Sequence, residues 1–164
     1  MLVAPGAQAD DGSWTLSATS TLSGMSGGVA VNAWAAASAS FVASGGQVQG
    51  QGQLTMSVQM TGSGSNCHGD SMPVPFSVGG SADNAMFHLV MTGSTTSTTL
   101  TMNCDDGSVM PMQLSVSSDA ANYDIAAVDG ATVDSDSADG GALPFVSIPS
   151  GFTGHSHVLL SENA

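Results

Sequence analysis

From Gln47 to Met60 the chain alternates without a break. Gln47, Gln49, Gln51, Gln53, Thr55, Ser57 and Gln59 fall in one phase, and Val48, Gly50, Gly52, Leu54, Met56, Val58 and Met60 in the other. A helix would wrap both sets around its axis, whereas an extended strand sorts them onto opposite faces. The run is therefore a long strand with one wet side and one apolar side. Gly50 and Gly52 on the apolar face predict a bend or close packing against a large side chain.

The same period recurs along the chain. Trp14, Leu16, Ala18 and Leu22 share a phase, as do Met72, Val74, Phe76 and Val78, then Phe87, Leu89 and Met91, then Leu100, Met102 and Cys104, then Met110, Met112, Leu114 and Val116. Pro73 and Pro75 cannot donate to a ladder, which predicts an edge strand there. Asp105-Asp106-Gly107-Ser108 between two alternating runs reads as a hairpin. Gly79-Gly80, Asp83-Asn84 and Gly93-Ser94 read as turns. Residues 29–43 carry both periods: Ala30, Trp34, Ala37 and Phe41 have helical spacing, while Val29, Val31, Ala33, Ala35, Ala37, Ala39 and Phe41 alternate. Strand is the choice, since every neighbour is a strand and serines interleave.

These runs predict an all-β fold: a single antiparallel meander closing into a β-barrel or stacking as a β-sandwich, with the barrel slightly favoured. Residues 10–118 form this domain, and the length suits one core. Residues 119–164 change character. Six of the twelve aspartates lie between Asp119 and Asp139, followed by short apolar pieces at 143–149 and 157–160. This reads as an irregular acidic segment that completes the sheet or serves as an interaction arm.

Composition enters through what is missing. The chain has no lysine and no arginine, thirteen acids and a formal charge of −13. An average domain of this length carries about twenty cations. Nucleic-acid binding needs cations against phosphates, and attraction to anionic membranes needs them too, so neither partner is expected. Schiff-base lysines, arginine clamps and the P-loop are excluded for want of the residue. Side-chain ion pairs require a protonated histidine. Aspartates meeting mainly other aspartates predict greater stability near pH 4–5 than near pH 8. The competing effect is carboxylates held by hydrogen-bond donors, which shifts pKa the other way.

Ala7-Gln8-Ala9 followed by Asp10-Asp11 has the small-residue spacing of an export cleavage site, so residues 1–9 read as the tail of an export signal or a disordered N-terminus. Cys67 and Cys104 then form the expected disulfide, in a secreted, extracellular protein. No stretch reaches the ~18 apolar residues of a membrane helix.

Candidate sites are few. Ten methionines and four histidines invite copper, but most methionines fall on apolar faces, where this adaptable side chain fills cores. Met86 and His88 are the exception, on a polar face, and form the copper candidate. The Met110-Pro111-Met112 pair and the Cys67-His68 dipeptide are packing and disulfide residues by the same argument. Asp134, Asp136 and Asp139, with Gly140 after them, resemble a calcium loop with one residue too many and no distal Glu, and form the calcium candidate. Calcium is the one cofactor so indicated. His155-Ser156-His157 puts two imidazoles on one face if extended, which is short of a zinc site. Gly24-Met25-Ser26-Gly27-Gly28 matches the nucleophile elbow, a motif that has meaning only between a strand and a helix. No catalytic set stands out. The reading is a non-catalytic structural or adhesive protein that self-associates through β edges, as in an extracellular filament or coat. The alternative is a module binding a small molecule, Ca or Cu. Edges here lack the lysine that ordinarily blocks pairing.

Overall fold

The computed structural model describes residues 11–62, 64–83, 85–93, 97–115, 121–138, 142–143, 146–147 and 150–164. The strands, in chain order, are β1 (Gly12–Ser26), β2 (Val29–Ser44), β3 (Gln47–Thr61), β4 (Asn66–Asp70), β5 (Val74–Asp83), β6 (Met86–Gly93), β7 (Ser97–Cys104), β8 (Val109–Ser115), β9 (Ala121–Ala126), β10 (Thr132–Ala138), β11 (Ala142–Leu143), β12 (Val146–Ser147) and β13 (Phe152–Glu162). Every pairing is antiparallel, and no helix occurs among the described residues. Residues 29–43 are strand, as alternation required.

Two long hairpins form the centre. Gly27-Gly28 joins β1 to β2, and Gly45-Gly46 joins β2 to β3, each in two residues. All four glycines have positive φ, between 57° and 81°. That is the backbone of a tight turn whose twist matches the flanking strands, and side chains resist it.

β3 is long enough to serve two neighbours. Its first half, 47–54, pairs with β5, and its last part, 57–61, pairs with β4. The sheet therefore branches, into an arm of β5, β6 and β9 and an arm of β4, β7 and β8. At the fork Met56 would lose its partners. Ser71 supplies them: its N–H donates to the Met56 carbonyl at 2.7 Å, and its hydroxyl oxygen accepts the Met56 N–H at 2.8 Å. Buried backbone polar groups must be paired, and one serine does this at the branch.

The sheet is antiparallel throughout but is not closed into a barrel. β9 pairs only with β6 and β10 only with β13, so both remain edges among the described residues. The sheet curls until β6 faces β1 and β2 across a core. Phe87 stands edge-on to Trp14 (centroids 5.1 Å apart) and to Phe41 (5.3 Å), an arrangement that adds about 0.5–1.5 kcal/mol per pair beyond burial. Around this triad lie Leu16, Leu54, Phe76, Leu89, Met91, Ile125 and Leu160. A second, smaller core gathers Val31, Val58, Leu100, Met102 and Phe152 under the β4–β7–β8 arm. Cys67 and Cys104 face each other across β4 and β7 and are joined by the disulfide.

The alternation of β3 is realised: Val48, Leu54, Met56 and Val58 are buried while the glutamines are exposed. The inward glycines make room. A Cβ on Gly52 would lie 2.5 Å from the tip of the Phe76 ring, and one on Gly50 would collide with the Ser40 carbonyl oxygen.

Several expectations are corrected. β5 is an interior strand. Pro73 precedes it, and Pro75 lies at its end, before β6 begins to pair at Phe76. Met72 lies outside the strand and is exposed. Gly79-Gly80 is not a turn but runs through β5, where a Cβ on Gly80 would strike the His88 carbonyl. Among the described residues the proline on an edge strand is Pro111, in β8. The C-terminal segment is not irregular either. β9, β10 and β13 all join the main sheet, and β13 inserts between β1 and β10, pairing with β1 from Trp14–Glu162 to Gly24–Phe152. Residues 1–9 lie outside the described residues.

Candidate functional site

Register along β13 assembles the chemistry. On the outward face of the β10–β13 pair, Asp134 stands opposite His157 and Asp136 opposite His155. His157 Nδ1 donates to Asp134 Oδ1 at 2.8 Å, and His155 Nδ1 to Asp136 Oδ1 at 2.7 Å. Asp134 Oδ1 also lies 3.4 Å from His155 Nε2. Asp136 raises the pKa of His155, and Asp134 adds to this; His157, then His155, lowers that of Asp134. Thr21 and Ser23 of β1, with Thr153 and Gly154 of β13, floor an open groove of about 560 Å³ beside Asp136, Ser137 and His155. One strand further on, opposite Thr21, is Trp34, 42% exposed.

The other two histidines also face aspartates. His88 on β6 meets Asp124 of β9 at 2.6 Å through Nδ1 and Asp83 of β5 at 2.9 Å through Nε2. Only the imidazolium can donate from both nitrogens, and Asp124, then Asp83, raise the His88 pKa accordingly. His68 lies 3.3 Å from Asp70. Asp70 accepts the Ser57 hydroxyl at 2.5 Å, and this bond is the main reason its pKa falls. Asp106 in the β7–β8 hairpin accepts both the hydroxyl and the N–H of Ser108, at 2.6 and 2.8 Å, with the same result. Carboxylates held singly by donors, rather than crowded against one another, thus set the electrostatics. Tyr123 is pushed up to about 12 by burial, with Ser156 acting against this.

Several sequence candidates change under this geometry. Met86 and His88 do share the outward face of β6, and both ring nitrogens of His88 are engaged by carboxylates, at 2.6 and 2.9 Å. Asp134 and Asp136 lie in a strand, so the wrapped loop that calcium needs is not formed there. Asp139 lies outside the described residues. Met110 is exposed on β8, while Met112 packs against the smaller core. Ser26 ends β1 and leads into a hairpin, not a helix, so the nucleophile elbow lacks its frame.

Among the described residues no three His, Cys, Asp or Glu side chains converge on one cation position. The cross-strand Asp–His face went unread in the sequence. Its signal was two matched period-two pairs, Asp-x-Asp at 134–136 and His-x-His at 155–157, which only an antiparallel register brings together.

Comparison with known proteins finds no matching family model, no similar curated protein and no matching solved structure.

Proposed function

We propose that this chain is an exported, non-catalytic structural or adhesive protein that assembles with copies of itself outside the cell. The disulfide fits an oxidising compartment. The observation that carries the assembly reading is the edge at β8, which no other strand covers among the described residues. Val109 is 62% and Met110 44% exposed there, and no lysine guards the strand. An apolar, unguarded edge invites addition of a further strand. Pro111 limits that pairing to part of β8. The other two edges among the described residues carry carboxylates, Asp124 on β9 and Asp134 with Asp136 on β10, and repel their own copies at neutral pH. Growth therefore begins at β8. The broad outer face of serines, threonines and glutamines on β1, β2 and β3 stays free for contact with other surfaces.

Electron microscopy and sedimentation of the full chain at rising concentration test this. Ordered oligomers are expected, favoured by added salt, which screens the −13 charge. Met110→Lys should suppress them. A protein that stays monomeric at high concentration, in salt and across pH, refutes the reading.

A further inference from the structure

We infer that His155 and His157 form a bidentate chelate for a divalent transition-metal ion, Cu²⁺ before others, on the outer face of β13. The inference does not depend on the assembly reading.

Strand geometry supplies the spacing. The two residues point to the same side, about 6.6–7 Å apart along the strand, a span that two imidazoles can close around one ion. Each ring is oriented by a carboxylate on the neighbouring strand, through its Nδ1, at 2.7 Å for His155 and 2.8 Å for His157. A carboxylate on Nδ1 fixes the proton there and leaves the Nε2 lone pair for a metal, and it makes that nitrogen a stronger donor.

The position of Asp134 adds a second argument. Its Oδ1 lies 3.4 Å from His155 Nε2. When His155 is neutral its one proton is directed to Asp136, and two lone pairs confront each other across that gap. A cation placed beside them turns repulsion into attraction, and the chain has no lysine or arginine to provide one. The site is also accessible. The histidine side chains are 49% and 45% exposed, and the groove beside His155 admits the waters that complete the coordination.

The other histidines do not share these features. His88 holds both nitrogens within 2.9 Å of aspartates, closer than the 3.4 Å from His155 Nε2 to Asp134, and neither His88 nor His68 has a second imidazole within its strand. Imidazole donors favour copper, nickel and zinc over calcium, and the order of divalent affinities places Cu²⁺ first.

The test is titration of the full chain with Cu²⁺ at neutral pH, followed by calorimetry and by electron paramagnetic resonance. One ion per chain with nitrogen ligands is expected. A second readout is internal. Trp34 lies two strands from His155, about 10 Å away, while Trp14 is buried in the core, so bound Cu²⁺ should quench the exposed tryptophan selectively. His155→Gln and His157→Gln should each weaken binding at least tenfold, and Asp136→Asn about tenfold. His88→Gln should leave it unchanged. Far-UV circular dichroism confirms that these surface variants fold. Absence of stoichiometric binding, binding that survives His155→Gln/His157→Gln, or loss of binding in His88→Gln overturns the inference.

Discussion

Gly52→Ala should destabilise the protein, although the same change at an open strand position would stabilise it. Gly52 points inward on β3, between Ala39 of β2 and Phe76 of β5. A Cβ there would sit 2.5 Å from Phe76 Cζ, 2.5 Å from the Ser38 carbonyl oxygen and 2.7 Å from Ala39 Cβ. Carbon atoms pack at roughly 3.5–4.0 Å, so each neighbour must retreat by about 1 Å. Phe76 is buried, and the other two contacts are a backbone oxygen in the β2–β3 ladder and a side chain with no torsion to turn. Overpacking of this kind costs about 1–3 kcal/mol. Against it stands a gain of about 0.4–1 kcal/mol from the stiffer unfolded chain. The net loss is about 1–2 kcal/mol, or a fall in Tm of roughly 2–8 °C for a chain of this size. Gly79→Ala on β5 is the matched control. A Cβ there would find its nearest atom, the Val48 carbonyl oxygen, at 4.0 Å, so only the entropic gain remains and stability should rise by up to about 1 kcal/mol. Urea unfolding at constant m measures both. If Gly52→Ala matches or exceeds the wild type, the close packing of Phe76 over β3 is wrong.

Removing the disulfide by Cys67→Ser/Cys104→Ser reopens a loop of 37 residues, which should cost about 4 kcal/mol and lower Tm by roughly 8–16 °C in a thermal melt. Ala85 holds φ at 60°, in the left-handed region, so Ala85→Gly should gain up to about 1 kcal/mol by denaturant titration. Melting temperature against pH should pass through a maximum between about 4 and 6.5. The raised pKa of His88 gives stability that is full below the unfolded value of 6.5 and is lost as pH rises through the folded one. The lowered pKa values of Asp70 and Asp106 give stability present above 3.8 and lost as pH falls through theirs. A Tm that climbs steadily from pH 5 to pH 8 would contradict this.

Local order was legible because a period of two leaves no ambiguity about faces. The buried set on β3 and the turn at Asp106-Gly107 follow from the pattern of the residues themselves. What stayed hidden depends on which strands meet. The division of β3 between β4 and β5 turns on Ser71, whose role appears only when both neighbours are in place. Gly79-Gly80 reads as a turn because paired glycines commonly are one; close approach of the β6 backbone is the competing reason, and it is nonlocal. The acidic C-terminal stretch resembles a solvated loop because Asp134 and Asp136 alternate with serines rather than with large apolar residues. Their pairing with His155 and His157 supplies what the local sequence lacks.

That pairing also explains how a chain without lysine or arginine manages its charge. Lysine and arginine would tie carboxylates as cations at every physiological pH, whereas histidine does so, and from both ring nitrogens, only while protonated. Protonating all four histidines takes the formal charge from −13 to −9, so the effect on the net field is modest. Position matters more. His88 connects β6 to Asp124 on β9, and His155 and His157 connect β13 to Asp136 and Asp134 on β10. Among the described residues β9 and β10 are edge strands, each bonded on one side only. The aromatic triad and the disulfide, which hold the interior and the other arm, contain no group that titrates near neutrality. Loss of the His88 and His155 protons should therefore loosen the two edges before it weakens the centre. Hydrogen exchange resolves this, because amides of β9 and β10 would lose protection between pH 5 and pH 8, after correction for intrinsic rates, while those of β1 and β2 would not. Equal loss along all strands would mean that the histidines act on the whole fold through net charge, and that their placement at the margins of the sheet has no mechanical consequence.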